Sequence, residues 1–293
     1  MPTNTTALIE IIGVNGEHWT VSGDGMGEQG VELADDPEGL FDEAPFTSIW
    51  QQGADQEGAT YLATRVEPMD LTLVFDIFGD PATGQSWEDV EGRFFAAFAA
   101  DRPATIQIMT EEGCRSLRVV KLEKSKQLSV KDPRITGYSQ MMLVLRAPWP
   151  FWEGETFYST WTAPTASASG SITVFNPTDR PLWLHWAATA PGRWTIPDYN
   201  FNGGEWATRK VTTPLLTAGQ DLTIDTYPRN ERYVAADGHN IAGRFAGVDF
   251  LHPVPPGTPR TTLPVSVASG VAGVSTIACR MVQQWQRAAG RGR

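Results

Sequence analysis

The side chains best suited to chemistry are scattered along this sequence. His18, His185, His239 and His252 stand far apart, and Cys114 and Cys279 form no paired-cysteine spacing. That pattern gives neither a zinc-ligand set nor a disulfide framework, and both thiols read as buried. No Walker A loop, GxSxG or HExxH occurs, so the motifs of phosphate cradling, acyl transfer and metalloprotease chemistry are missing. Gly23-Asp24-Gly25-Met26-Gly27 has glycines at turn spacing but lacks the strand-to-helix setting of a phosphate loop, and reads as a flexible turn. A catalytic pair assembled only by folding would leave no such trace. The expectation is a protein that is not an enzyme and holds no cofactor and no metal.

Charged groups are more informative. Residues 1–155 carry 11 Lys and Arg against 26 Asp and Glu, a balance of −15, whereas residues 156–293 carry 12 against 8, a balance of +4. The acidic surplus is read either as a solubility device or as a surface that repels nucleic acid. Lys121, Lys124, Lys126, Lys131 and Arg134 form a basic cluster within the acidic half. No aromatic residues interleave to stack bases, which disfavours a nucleic-acid site. The cluster reads either as a solvated hairpin or as a contact to a neighbouring subunit's acidic surface, and cations with surplus acid in one domain suit head-to-tail pairing, the contact that closes rings. Asp35, Asp36, Glu38, Asp42 and Glu43 lie in a Gly/Asp/Glu-rich stretch, about residues 22–57, that reads as a long acidic arm with apolar residues such as Leu40, Phe41 and Trp50 along it.

The elements that must carry these groups are mostly strands. Leu8 to Ile12 and His18 to Val21 flank Asn15-Gly16, a hairpin signal. Ala63 to Ile77 alternates as a half-buried strand. Ser86 to Ala100 is the one clear helix, with Ser86 as N-cap, acids in its first turns and an apolar stripe at Trp87, Val90, Phe94, Phe95 and Phe98. Strands follow at Ala104 to Met109, Arg115 to Lys124 and Tyr138 to Arg146. The stretch Ala147 to Glu155, APWPFWEGE, has two prolines that bar a continuing helix or central strand and three rings too apolar for free solvent. It predicts a packed joint at which Trp149, Phe151 and Trp152 wedge between two domains, residues 1–152 and 153–293.

Beyond a Ser/Thr/Ala-rich stretch, Thr160 to Ser171, eight short strands are predicted between Ser171 and Gln283, the pattern of a jelly-roll β-sandwich. In Leu182-Trp183-Leu184-His185-Trp186, alternation sends Leu182, Leu184 and Trp186 to the core. Trp194, Tyr199 and Trp206, around the loop Asp198 to Trp206, are the rings best placed to stack on a sugar or a partner. The basic end QRAAGRGR reads as frayed. Neither a signal peptide nor an apolar run long enough to span a membrane is present, so assembly in a cytoplasm is expected. The sequon Asn4-Thr5-Thr6 then carries no meaning.

The β-rich first half with one helix, its APWPFW exit, and then Gly170 to Asn176, PLWLHW, GRWTIPD, LTIDTYPRN and VPPGT in that order resemble the distal tail (Dit) and minor tail proteins of long-tailed bacteriophages that infect actinobacteria. The resemblance covers nearly the whole chain. It implies an all-β fold with one packed helix, a β-sandwich followed by a galectin-like β-sandwich. It also implies a structural virion protein of the tail tip that forms a ring, a hexamer by resemblance, joining the tail tube protein to the tail-tip hub around a bore for passing DNA. The acidic arm would then lie near the bore or reach tube subunits. A carbohydrate-binding module contacting the host cell wall, or another tail-tip adaptor, are the rival readings.

Overall fold

Strands dominate because the sequence places β-branched and aromatic residues at alternating positions between glycine and proline turns. A computed structural model describes residues 7–80, 83–129, 131–230 and 232–290. The sequon at residues 4–6 and the last three residues lie outside them.

The chain divides into two compact units, the first running to Gly154 and also taking in Trp285–Gly290, the second covering Glu155–Gln284. In the first unit, β1 (Leu8–Ile12) and β2 (His18–Ser22) form the hairpin that Asn15-Gly16 predicts, with Gly16 at φ +81°. β3 (Val31–Leu33), β4 (Phe46–Gln51), β5 (Thr60–Val66) and β6 (Met69–Phe78) follow. Next come α1 (Trp87–Ala96), β7 (Ala104–Thr110), β8 (Gly113–Lys121), β9 (Lys126–Gln127), the single turn α2 (Pro133–Thr136) and β10 (Tyr138–Ala147). β1 pairs with β2 and β7, β7 with β8, β10 with β6 along its whole length, and β6 with β3, all antiparallel. Side chains alternate inward from these strands, as in Leu71, Leu73, Phe75 and Ile77 of β6, and Val90 and Phe94 of α1 join them in one core.

Three expectations are corrected here. The helix ends at Ala96 rather than Ala100, because Val14 of the β1–β2 turn takes the carbonyl of Ala97 at 2.9 Å and ends its helical pairing. Within its stripe, Phe95 faces outward, 49% exposed. The strand predicted over Ala63 to Ile77 is two strands, since Pro68 has no N–H to donate and the Glu67 amide goes to the Pro45 carbonyl. The arm of residues 22–57 is not a continuous loop. Successive turns occupy its start, β3 joins the edge of β6, Glu38 bridges to Thr72, Leu40 is fully buried, and β4 pairs with β5.

β11 (Trp152–Thr162), missed in the sequence, begins in the first unit and continues into the second. The second unit then holds β12 (Ala168–Asn176), β13 (His185–Ala188), β14 (Arg193–Pro197), β15 (Lys210–Thr212), β16 (Leu222–Asp225), β17 (Arg232–Ala235), β18 (Thr258–Ala268) and β19 (Thr276–Trp285). One sheet runs β17-β16-β13-β19-β11 and the other β12-β18-β14-β15. Leu182, Leu184 and Trp186 enter the shared core beside Ile172, Val265 and Ile277, which makes this unit a β-sandwich. Its topology answers the predicted strands nearly one for one.

The tail is not frayed through Gly290. The Arg115 guanidinium, 6% exposed, donates to the carbonyls of Arg287 at 2.8 Å and Gly290 at 2.6 Å, and lies 3.9 Å over the Trp285 ring. Ala288 is buried in the first unit's core.

Candidate interaction surfaces

The β4–β5 ribbon is the most unusual surface of the first unit. Among the described residues its strands pair only with one another, Phe46 opposite Val66 and Thr60 opposite Gln51, with a bulge between Ile49 and Trp50. Phe46, Ile49, Trp50, Tyr61 and Leu62 are 44–58% exposed, and none joins either core. Trp50 and Tyr61 meet edge-on, with centroids 5.4 Å apart. A lone two-stranded ribbon is marginal in water, and its outer edges offer free backbone groups. A ribbon with five exposed large apolar residues is therefore suited to docking. The sequence marks Trp50 as an apolar residue of the acidic arm but does not reveal the ribbon, whose two strands alternate too poorly to announce themselves.

The basic cluster divides. The Lys121 ammonium rests 4.0 Å over the Phe95 ring, and burial lowers its pKa. Arg134 bonds Asp132 through two nitrogens, at 3.0 and 2.8 Å, and those bonds hold the Asp132 carboxyl below its usual range. Lys124, Lys126 and Lys131 are exposed and, among the described residues, form no ion pair. Beside them, α2 is capped at both ends: Asp132 accepts from the Arg134 amide, and Gly137 turns left-handed at φ +63° with its N–H on the Pro133 carbonyl. That rigid turn presents Ile135 at 85% exposure.

The acidic residues Asp35, Asp36, Glu38, Asp42 and Glu43 are all exposed, on a segment pinned by the Glu38–Thr72 bridge and by buried Leu40. Phe41 stands among them, 47% exposed.

At the predicted joint, Trp152 is fully buried in the first unit's core. Phe151 is buried, and Trp149 packs edge-on against it at 5.2 Å. In the second unit Trp194 is fully buried, its Nε1 bonded to the Thr189 carbonyl. It is corrected from surface ring to core residue, because alternation along β14 turns it inward with Ile196. Tyr199 packs partly against the core, and Trp206 is 47% exposed with the Arg209 guanidinium 5.5 Å from its ring. Buried Asp198 holds this loop in place. It accepts from the amides of Leu251 and His252 at 3.0 and 3.1 Å and pairs with Arg209. The nearby cleft, lined by Trp186, Tyr199, Phe201 and His252 among others, measures about 10 Å³, room for about one water molecule and not for a sugar ring.

Cys114 is exposed, against expectation, while Cys279 is buried and its thiol pKa is pushed up by burial. Among the described residues no group of three His, Cys, Asp or Glu side chains could hold a metal ion, and no helix is long and apolar enough to cross a membrane.

No family model matches the chain. It is 27% identical over 336 aligned positions to the minor tail protein Gp27 of Mycobacterium phage D29, covering 97% of this chain and 98% of that protein. It is 26% identical to Gp27 of Mycobacterium phage L5 at the same coverage. Among solved structures, the Dit protein of phage SPP1, described as a paradigm of the hub adsorption apparatus, superposes with a TM-score of 0.62 over 94% of this chain and 99% of its own, at 12% identity. A chain of the phage p2 baseplate in its activated conformation with calcium gives a TM-score of 0.53 over 95% and 98%, at 10% identity. The chain is thus similar along its whole length to minor tail proteins of mycobacteriophages and shares the fold of the SPP1 Dit protein.

Proposed function

We propose that copies of this chain assemble into a ring, a hexamer by resemblance, that joins the tail tube to the tail-tip hub and leaves a bore for DNA. The observation that carries this reading is the β4–β5 ribbon, with five large apolar side chains exposed and both outer edges unpaired in the sheet. A second copy is the natural cover. Burying each ring or aliphatic side chain contributes about 1.5–3 kcal/mol, enough in sum to hold neighbours together. The −15 balance of residues 1–155 suits a bore that repels the DNA passing through it. The role of the second unit in this reading is structural and not catalytic.

Mass photometry followed by negative-stain imaging tests the reading. A closed ring near six times 32.1 kDa is expected from the native chain. Replacing Ile49 and Leu62 with Ser should leave the circular dichroism spectrum unchanged and lower the assembled fraction sharply. Monomers alone, for the native chain at every concentration and with tail tube protein supplied, would sink it.

A further inference from the structure

We propose that ring closure is keyed by a second contact, in which Ile135 on α2 of one copy seats against Phe41 of the next, with Lys124, Lys126 and Lys131 facing Asp35, Asp36, Glu38, Asp42 and Glu43. This rests on the ring reading and names the residues that set its direction. Each patch has the anatomy of half an interface, an apolar centre within a polar rim. Ile135 is 85% exposed on a turn fixed by its Asp132 and Gly137 caps, so the knob is held out at little further cost in ordering. Phe41, 47% exposed, stands on a segment fixed by the Glu38–Thr72 bridge. The rims carry opposite charge, and within one copy neither rim has ion pairs among the described residues.

Topology places the two patches so that one copy cannot satisfy itself. β9 pairs with β10 on the edge away from β6, and α2 leads directly into Tyr138 at the start of β10. Glu38 bridges to Thr72 on the edge of β6 away from β10. The patches therefore lie on opposite edges of the β6–β10 pair. They are also offset by the six residues from Thr72 to Phe78, which faces Tyr138, roughly 20 Å along the strands. Unlike patches on opposite edges make a heterologous contact, which repeats from copy to copy until the ring closes. The acidic segment is thereby assigned to the seam between subunits and not to the bore.

The test uses full-length chains in a Cys114→Ser background, one carrying Phe41→Cys and the other Ile135→Cys. Mixed under assembling conditions with a mild oxidant, they should give a disulfide-linked heterodimer, while either chain alone should give none. A chain carrying both substitutions should give a ladder. In parallel, Lys126→Glu with Lys131→Glu, or Asp42→Lys with Glu43→Lys, should weaken self-association roughly tenfold at low salt. Mixing the two charge-reversed chains should restore pairing between them. All these sites are exposed, so folding is unaffected and circular dichroism checks it. Rings that form without the heterodimer, and with unchanged affinity in both charge variants, overturn the contact and leave the ring standing. A native chain that never assembles overturns both.

Discussion

At the scale of residues, Asp198 organises the loop that carries the exposed ring of Trp206. It is 3% exposed, accepts two backbone amides from Leu251 and His252, and pairs with Arg209, whose side chain is 11% exposed. Removing one partner of such a pair leaves a buried charge uncompensated and costs about 3–5 kcal/mol. Asp198→Ala should therefore lower the stability of the second unit by that order, read as a fall in its denaturation midpoint. Arg209→Ala should cost a similar amount, and the double variant less than the sum of the two, because the pair is one interaction. Equal, additive losses of a few tenths of a kcal/mol would show that the pair is solvent-screened decoration. The sequence put Asp198 at the start of the right loop but gave no sign of its burial, since a carboxylate's partners here come from residues 209 and 251–252, far along the chain.

Elements were legible where local chemistry agrees with the final fold. Asn15-Gly16 announces its hairpin, and alternation sends Leu182, Leu184 and Trp186 inward as they are found. Ser86 announces α1, where the capping box forms: its hydroxyl accepts from the Asp89 amide and the Asp89 carboxylate accepts from the Ser86 amide, both at 3.3 Å. Ser86→Ala should cost about 1 kcal/mol, seen as a lower denaturant midpoint at unchanged slope. No loss would mean that packing of Val90 and Phe94 alone fixes the helix start. The elements that stayed hidden are those without an inward face. The β4–β5 ribbon exposes both sides, α2 is a single turn with no period to read, and β11 follows two prolines and buries its residues irregularly. Self-association surfaces are hard to read for the same reason, because their apolar residues answer to a neighbour that the periodicity of one chain does not contain.

At the scale of the whole molecule, the chain leaves the first unit after Gly154 and returns to it at Trp285. The first unit is thus closed by residues 285–290, which lie far along the sequence from the rest of it. Arg115 is the anchor, nearly buried, with the carbonyls of Arg287 and Gly290 as acceptors and the Trp285 ring beneath it, while the Ala44 amide donates to the Gln286 carbonyl and Ala288 fills the core. Truncation after Gln284 removes these acceptors, the ring and the core methyl together. Two hydrogen bonds from a charged donor, each contributing about 1.5–3 kcal/mol, together with the buried core methyl, are a large share of the ~5–15 kcal/mol that holds a domain folded. The truncated chain should therefore melt with its first unit well below its second, whereas the native first unit should melt higher and with the tail intact. Hydrogen exchange read by mass spectrometry locates the loss: fast exchange in β8, which carries Arg115, and in β7, which pairs with it, with β13 and β16 still protected. Because the tail completes the first unit, a fragment ending at Gly154 should behave like the truncated chain, and adding a peptide of residues 285–290 should restore part of its protection. Full protection of β7 and β8 in that fragment would mean that the first unit is finished without its returning strand.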